Sequence, residues 1–273
     1  MHERIVVSGG SGFIGRLLTG KLVASNYDVV VLTRSPLPAV GAIRQVRWDG
    51  RTLDSWTEEL DGARALINLA GRSVNCRYNE RNRREILESR VDSTRVLGEA
   101  IARCNRPPRV WLNASTATIY KHTFDRPMDE ATGVIAATPE AKDAFSIEVA
   151  EAWEQTLHEA HTPATRKVAL RTAMVFAPGE GGVFRVLQPL LNLGVVMRLE
   201  FLELLAGGRI DRRDRHTLRK RTSWRERIPK KLRYKQTPNS NDQMHSLGSM
   251  LHYCCLVRVF AELVSALRSL CSS

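Results

Sequence analysis

The sequence of 273 residues lacks any uninterrupted apolar run of about 18 residues or more, and its first residues lack the basic start and long apolar stretch of a secretory leader. No membrane contact is expected, and a cytoplasmic location is. Cysteine is sparse: Cys76, Cys104, Cys254, Cys255 and Cys271 are odd in number, scattered, and without CxxC spacing. That speaks against a disulfide framework and against a zinc site. Among the histidines only His158 and His161, at a helix end, approach ligand spacing, and they read as solvated side chains, so no metal is expected. An acid at the end of the second strand and a Gly-Lys-Ser/Thr ending to the glycine-rich turn are both missing. The second absence excludes a phosphate-loop NTPase.

What remains, 43% hydrophobic and 26% charged, suffices to bury one large α/β domain or a domain with an appendage. The net charge of +12 is uneven: from Glu200 onward 15 Lys/Arg stand against 7 Asp/Glu, and residues 1 to 199 hold 26 against 22. The basicity belongs to the tail and says little about what the first part binds.

The strongest positive signal is Arg4-Ile5-Val6-Val7-Ser8-Gly9-Gly10-Ser11-Gly12-Phe13-Ile14-Gly15. A strand ends at Ser8, the chain turns sharply at Gly9, and Gly12 lets a diphosphate approach the backbone. Gly15 then allows the next helix to pack on the sheet, with the first amides of that helix facing the phosphates. Gly9, Gly12, Phe13, Ile14 and Gly15 are thus the expected cofactor grip. Where an NAD site carries an acid for the ribose 2′-hydroxyl, this chain reads Thr33-Arg34-Ser35. A cation suits a 2′-phosphate, so NADP is favoured over NAD. A solvated arginine after a strand is the alternative reading.

Strand patterns cover residues 4 to 8, 28 to 33, 44 to 48, 64 to 69, 109 to 114 and 166 to 174. Helical stripes alternate with them: Phe13, Ile14, Leu17, Leu18, Leu22 and Val23; Leu87, Val91, Thr94, Leu97 and Ile101; Phe145, Val149, Ala152, Trp153 and Leu157. The order implies an α/β, Rossmann-like, doubly wound parallel sheet, with right-handed crossovers placing every strand's carboxyl end on one edge.

The chain resembles the extended short-chain dehydrogenase/reductase superfamily, and within it the atypical epimerase-like branch of unknown substrate. Ser8 to Gly15, Leu32-Thr33-Arg34-Ser35, Val46-Arg47-Trp48-Asp49, Ile67-Asn68-Leu69-Ala70-Gly71, Ser89-Arg90, Asn113-Ala114-Ser115-Thr116, Phe145 through Trp153-Glu154, and Leu170-Arg171-Thr172 carry the likeness, over about residues 3 to 198. The resemblance implies adenine near Asp49, the rest of the cofactor passing Asn68, Leu69, Ala70 and Gly71, and chemistry near Ser115. Asn68 could equally cap the strand end. Arg90 stands where the superfamily often has a structural asparagine and is placed with the cofactor residues. The dimer face that many relatives build from helices near 79 to 103 and 143 to 160 makes a homodimer a possibility.

One departure concerns chemistry. The superfamily's Tyr-x-x-x-Lys passes a proton through the tyrosine, with the lysine lowering its pKa. Here the place reads Phe145-Ser146-Ile147-Glu148-Val149, with neither hydroxyl nor ammonium at the two positions. Ser115, Thr116, Tyr120 and Glu148 are the available substitutes. Ser115 and Tyr120 are the candidate catalytic pair, against the alternatives that Ser115 and Thr116 bond the backbone and Tyr120 packs. Thr116 and Arg171 are candidate substrate contacts; Arg171 either holds an anionic group or pairs with a helix acid. The expected function is hydride transfer with NADP on a small polar carbonyl or hydroxyl substrate, and the rival is an NADP-binding sensor without turnover.

The pattern changes after residue 198. Residues 199 to 273 form an atypical basic tail without the family's Ser-Trp-Ile-His-like return segment, of which Thr222-Ser223-Trp224 is the nearest echo. With only Trp224 and Tyr234 to stack on bases and no nucleic-acid fold, nucleic acid is not an expected partner. Either the tail has diverged or it is a foreign or frame-shifted sequence, which the abrupt change in charge favours. Translating the coding DNA in its other frames then recovers the missing segment; its absence from every frame rejects the idea.

Overall fold

The computed structural model describes residues 2–38, 41–123, 126, 128–173 and 175. The tail expected from residue 199, the domain boundary placed at 198, and the motifs read at 177 to 184 lie outside them.

Six parallel strands form one sheet: β1 (Arg4–Ser8), β2 (Asp28–Thr33), β3 (Ile43–Arg47), β4 (Ala65–Asn68), β5 (Val110–Thr116) and β6 (Arg166–Thr172). Their order is β3-β2-β1-β4-β5-β6. The chain winds outward from β1 in one direction and then from β4 in the other, so the order reverses between β1 and β4, and a crevice opens there at the carboxyl ends. Three helices cross between strands: α1 (Phe13–Ala24), α2 (Glu80–Ala102) and α3 (Ala144–Glu159).

The central strands read as continuous apolar runs because both faces are covered. Val6, Val30, Leu32, Leu66 and Trp111 turn to the face that α2 covers, where Trp48, Trp56, Leu60, Val96, Leu97, Ile101 and Leu157 complete the main core. The alternate residues Ile5, Val7, Val29, Val31 and Ile67 are buried on the opposite face.

The boundaries shift where hydrogen bonding overrides composition. β5 continues two residues past its expected end because Ser115 and Thr116 pair with Arg171 and Thr172 of β6. β4 stops at Asn68, although the Leu69 amide still donates to the Ser8 carbonyl at 2.9 Å. On α2 the buried stripe is rotated from the expected one: Ile86, Ser93, Val96 and Ala100 are buried with Thr94, Leu97 and Ile101, while Leu87 and Val91 are half-buried. This helix packs on both the sheet and α3 and so needs a broader face than one stripe supplies. It starts where the Asn79 side chain accepts from the Asn82 amide at 2.8 Å. On α3, Ile147, Ala150 and Glu154 join Val149, Trp153 and Leu157 inside, and Phe145 and Ala152 are half-buried.

Among the described residues no helix is long and apolar enough to cross a membrane, and no group of three or more His, Cys, Asp or Glu could hold a metal ion. Cys76 and Cys104 are free thiols.

Gly98 sets how closely α2 approaches its neighbours, since a Cβ there would stand 2.8 Å from Ala160 Cβ and 3.5 Å from the Trp111 ring. Gly98→Val is expected to lower stability by about 1–3 kcal/mol through overpacking. Urea unfolding followed by circular dichroism checks this, and an unchanged midpoint would reject tight packing at that point.

Candidate cofactor and active site

The crevice is floored by a buried polar network. Ser8 Oγ donates to Asn68 Oδ1 at 2.7 Å, and Asn68 Nδ2 donates to Asn113 Oδ1 at 2.7 Å and to Thr94 Oγ1 at 3.3 Å. Trp153 Nε1 also donates to Thr94 Oγ1, at 2.9 Å, and the Ala70 amide donates to Asn68 Oδ1 at 3.1 Å. Asn68 is 0% exposed. Its side chain therefore caps and joins strand ends, the alternative open from sequence, and is not turned toward the crevice.

Above this floor the glycine turn is shaped by contacts that tolerate no Cβ. Gly9 has φ +71°, and a Cβ on it would fall 2.7 Å from the Leu69 carbonyl carbon; one on Gly15 would fall 2.5 Å from Gly10 Cα. The loop is thereby clamped between α1 and the Leu69–Ala70 backbone. Gly12 begins α1 without a side-chain cap, while Phe13 and Ile14 are half-buried in its first turn. The helix start thus offers backbone amides to an anion.

Next to it, Thr33 is buried, with its hydroxyl 3.4 Å from that of Ser11, and Arg34 is exposed and pairs with none of the described residues. The register places Arg47 of β3 beside Thr33, so a second exposed arginine flanks the same strand end. Asp49 builds a turn, accepting from the amides of Thr52 at 2.9 Å and Arg51 at 2.8 Å and from the Thr52 hydroxyl at 2.7 Å. The Thr52 amide foremost holds its carboxyl below the usual aspartate range.

The opposite side of the crevice holds a chain of four polar groups. Ser115 Oγ donates to Glu154 Oε1 at 2.5 Å, and Arg171 grips the same carboxylate through Nε at 2.9 Å and Nη2 at 2.7 Å. Arg171 Nη1 donates to the Tyr120 hydroxyl at 2.8 Å, with Cζ 5.0 Å from that ring's centroid. The register explains the meeting: Ser115 and Arg171 are direct neighbours on β5 and β6 and project to the same face, over which α3 lowers Glu154. Burial opposes ionisation of Glu154, but the bonds from Arg171 and Ser115 outweigh it and hold its carboxyl below the usual glutamate range. Glu154 in turn raises the Arg171 pKa. Both partners stay charged.

Of the two open readings of Arg171, the structure thus shows the pair with a helix acid. Thr116 serves the backbone, accepting from the Thr118 amide at 3.2 Å and donating to the Thr118 hydroxyl at 2.8 Å. Glu148 is exposed and lines a groove with Ala144 and Gln155. Phe145, at the place of the superfamily's tyrosine, meets Tyr78 edge-on at 5.7 Å between centroids and has Arg83 Cζ 4.7 Å from its own. Val149, at the lysine's place, is buried. Arg90 lies behind Gly71, where a Cβ would be 3.3 Å from its Cζ.

The profile of the NAD dependent epimerase/dehydratase family matches residues 5–193. The chain belongs to this family. It is 31% identical over 197 residues to epimerase family protein SDR39U1 of Bos taurus, a match covering 70% of this chain and 61% of that protein. The crystal structure of human epimerase family protein SDR39U1 with NADPH superposes with a TM-score of 0.58 at 29% identity, covering 70% of this chain and 60% of that one. A nucleoside-diphosphate sugar epimerase from Corynebacterium glutamicum gives a TM-score of 0.55 at 26% identity, covering 70% and 38%. The chain therefore spans about three fifths of the length of the SDR39U1 relatives.

Three residues that the fold brings to this candidate site were not singled out from sequence. Glu154 was legible in principle: Ile147, Ala150, Glu154 and Leu157 follow one helical face, so an acid on that face announces a buried partner. Thr94 was read only as part of a core stripe, and its three hydrogen bonds depend on β4, β5 and α3 converging. Arg47 needed the β2–β3 register.

Because the folded Glu154 pKa lies below the ordinary value of 4.5, the pair stabilises the protein above that value and stops doing so as pH falls through the folded one. Glu154→Gln is expected to be destabilising at neutral pH, with the gap to wild type closing as pH falls below about 4.5. Denaturant midpoints across that range test it; a gap independent of pH would reject the ion pair.

Proposed function

We propose that the chain binds NADP(H) along the carboxyl edge of the sheet and moves a hydride to or from a small polar carbonyl or hydroxyl substrate. The observation that carries this reading is the glycine turn: its clamped backbone and uncapped helix start are fitted to a diphosphate, and two exposed arginines, Arg34 and Arg47, which pair with none of the described residues, stand where the adenosine ribose would lie. The human relative's structure with NADPH supports the same cofactor. When bound, the cofactor supplies or accepts the hydride.

The chain's own part is the proton. Ser115 directs its hydrogen into Glu154, which leaves the Ser115 oxygen free to accept from a substrate hydroxyl. In the oxidising direction the substrate proton passes to Ser115 Oγ as the Ser115 proton passes to Glu154 Oε1; reduction runs the steps in reverse. Arg171 keeps Glu154 ionised and able to receive that proton, at the cost of making it a weaker base. Tyr120 accepts from Arg171 and retains its own hydrogen for a second acceptor, which makes it the alternative donor. Phe145 and Val149 in place of the tyrosine and lysine favour a second reading, an NADP sensor that does not turn substrate over.

Fluorescence titration is expected to show NADPH binding more tightly than NADH. Arg34→Glu should weaken NADPH by roughly tenfold to a hundredfold, as removing a charge-assisted contact and adding a repulsive one implies, while barely affecting NADH. Equal affinity of the wild type for both cofactors would sink the NADP assignment. Tight binding with no oxidation across a panel of alcohols and aldehydes would favour the sensor.

A further inference from the structure

The seam between α2 and α3 holds two guanidiniums that pair with no acid among the described residues. Arg83 and Arg90 stand seven residues apart on one side of α2, and each lies over an aromatic ring of α3: Arg83 Cζ is 4.7 Å from the Phe145 centroid and Arg90 Cζ is 5.2 Å from that of Trp153. Their neighbours are paired: Arg72 and Arg81 with Glu85, and Arg84 with Glu80. Neither Arg83 nor Arg90 makes an ion pair with any described residue. Arg83 uses only Nε, donating to the Tyr78 carbonyl at 3.2 Å. Arg90 uses only Nη1, donating to the carbonyls of Ile86 at 2.9 Å and Arg72 at 3.2 Å.

Arg90 is partly withdrawn from water, and that burial lowers its pKa, offset in part by the nearby Tyr78 phenol. A guanidinium in this position costs stability unless something neutralises it. The stacking rings fix its plane without cancelling its charge. Tyr78, 45% exposed, leans edge-on against Phe145, and its hydroxyl bonds none of the described residues. Three sets of donors with unused capacity therefore line the seam, with Arg90 behind Gly71 just past the end of β4 and Arg83 and Tyr78 at Phe145, the place where the superfamily carries its catalytic tyrosine.

We propose that this seam seats the anionic end of the substrate, a phosphate or carboxylate group held by Arg83 and Arg90 with the Tyr78 hydroxyl. The planar fork of arginine matches both oxyanions. The proposal rests on the hydride-transfer reading and adds the substrate's class: an anionic carbonyl or hydroxyl compound in place of a neutral one. The cofactor's diphosphate has its own seat at the glycine turn, so the two anions are separate.

The test is isothermal titration of the full chain with inorganic pyrophosphate and with malonate, each with and without saturating NADPH, in 150 mM salt to suppress diffuse binding by the basic tail, at about physiological ionic strength. Both probes are expected to bind the NADPH-loaded protein. Arg83→Gln, an exposed substitution that leaves the fold intact, should weaken them about tenfold while leaving NADPH affinity unchanged. Arg90→Gln should weaken them at least as much, with Arg90→Lys recovering part of the loss; circular dichroism confirms that these variants are folded. Failure of both probes to bind the NADPH-loaded protein, in which the glycine turn is already filled, would overturn the proposal by leaving the seam without an anion of its own. Equal affinity of wild type and Arg83→Gln would overturn it too, showing that the anions bind elsewhere. Failure of NADPH to bind the wild type would instead reject the cofactor reading, and the difference in malonate affinity between wild type and Arg83→Gln would still report on the seam.

Discussion

The crevice depends on one side-chain amide. Asn68 ends β4 at the point where the strand order reverses, and its four hydrogen-bonding positions are all occupied: Ser8 on β1 and the Ala70 amide supply its oxygen, and Thr94 on α2 and Asn113 on β5 receive its nitrogen. A polar group buried that deeply would be destabilising if any of these were missing. Three strands and a helix are therefore held in one register where the cofactor is proposed to lie. Trp153, donating to the same threonine, brings α3 into the arrangement.

From that anchor the two sides of the crevice acquire different characters. Toward β2 and β3 the backbone forms the surface, because Gly9 and Gly15 leave no room for a Cβ, and the exposed Arg34 and Arg47 flank the strand end. Toward β5 and β6 the side chains do the work. Glu154 is charged because Arg171 and Ser115 surround it, and Arg171 is fixed because Glu154 and Tyr120 occupy it. The same pairing that builds the wall commits Arg171 to Glu154. The arginines proposed to seat a substrate anion, Arg83 and Arg90 on α2, pair with no acid among the described residues.

Much of the fold could be read in the chain because apolar periodicity reports burial, and burial in a parallel sheet is nearly complete. The glycine turn was legible for a related reason, since spacing of residues without side chains reflects a backbone that must come close to something. The site was less so. Asn68 read as either a cofactor contact or a cap, Arg171 as either a substrate anchor or half of an ion pair, and the partners that the structure gives them, Asn113 and Glu154, lie 45 and 17 residues away in sequence. Thr116 likewise turned out to serve its own turn.

The sequence by itself determined the doubly wound sheet, the phosphate-binding turn and the loss of the tyrosine and lysine, because each is a local pattern whose meaning survives without knowing its surroundings. Tertiary structure alone decided which charges are spent and which are free. Whether an arginine is a structural tie or an open anion site depends on the acid that reaches it through space. Only the β5–β6 register and the descent of α3 brought Glu154 to Arg171, while the packing of α2 on α3 set Arg83 and Arg90 over aromatic rings that cannot neutralise them.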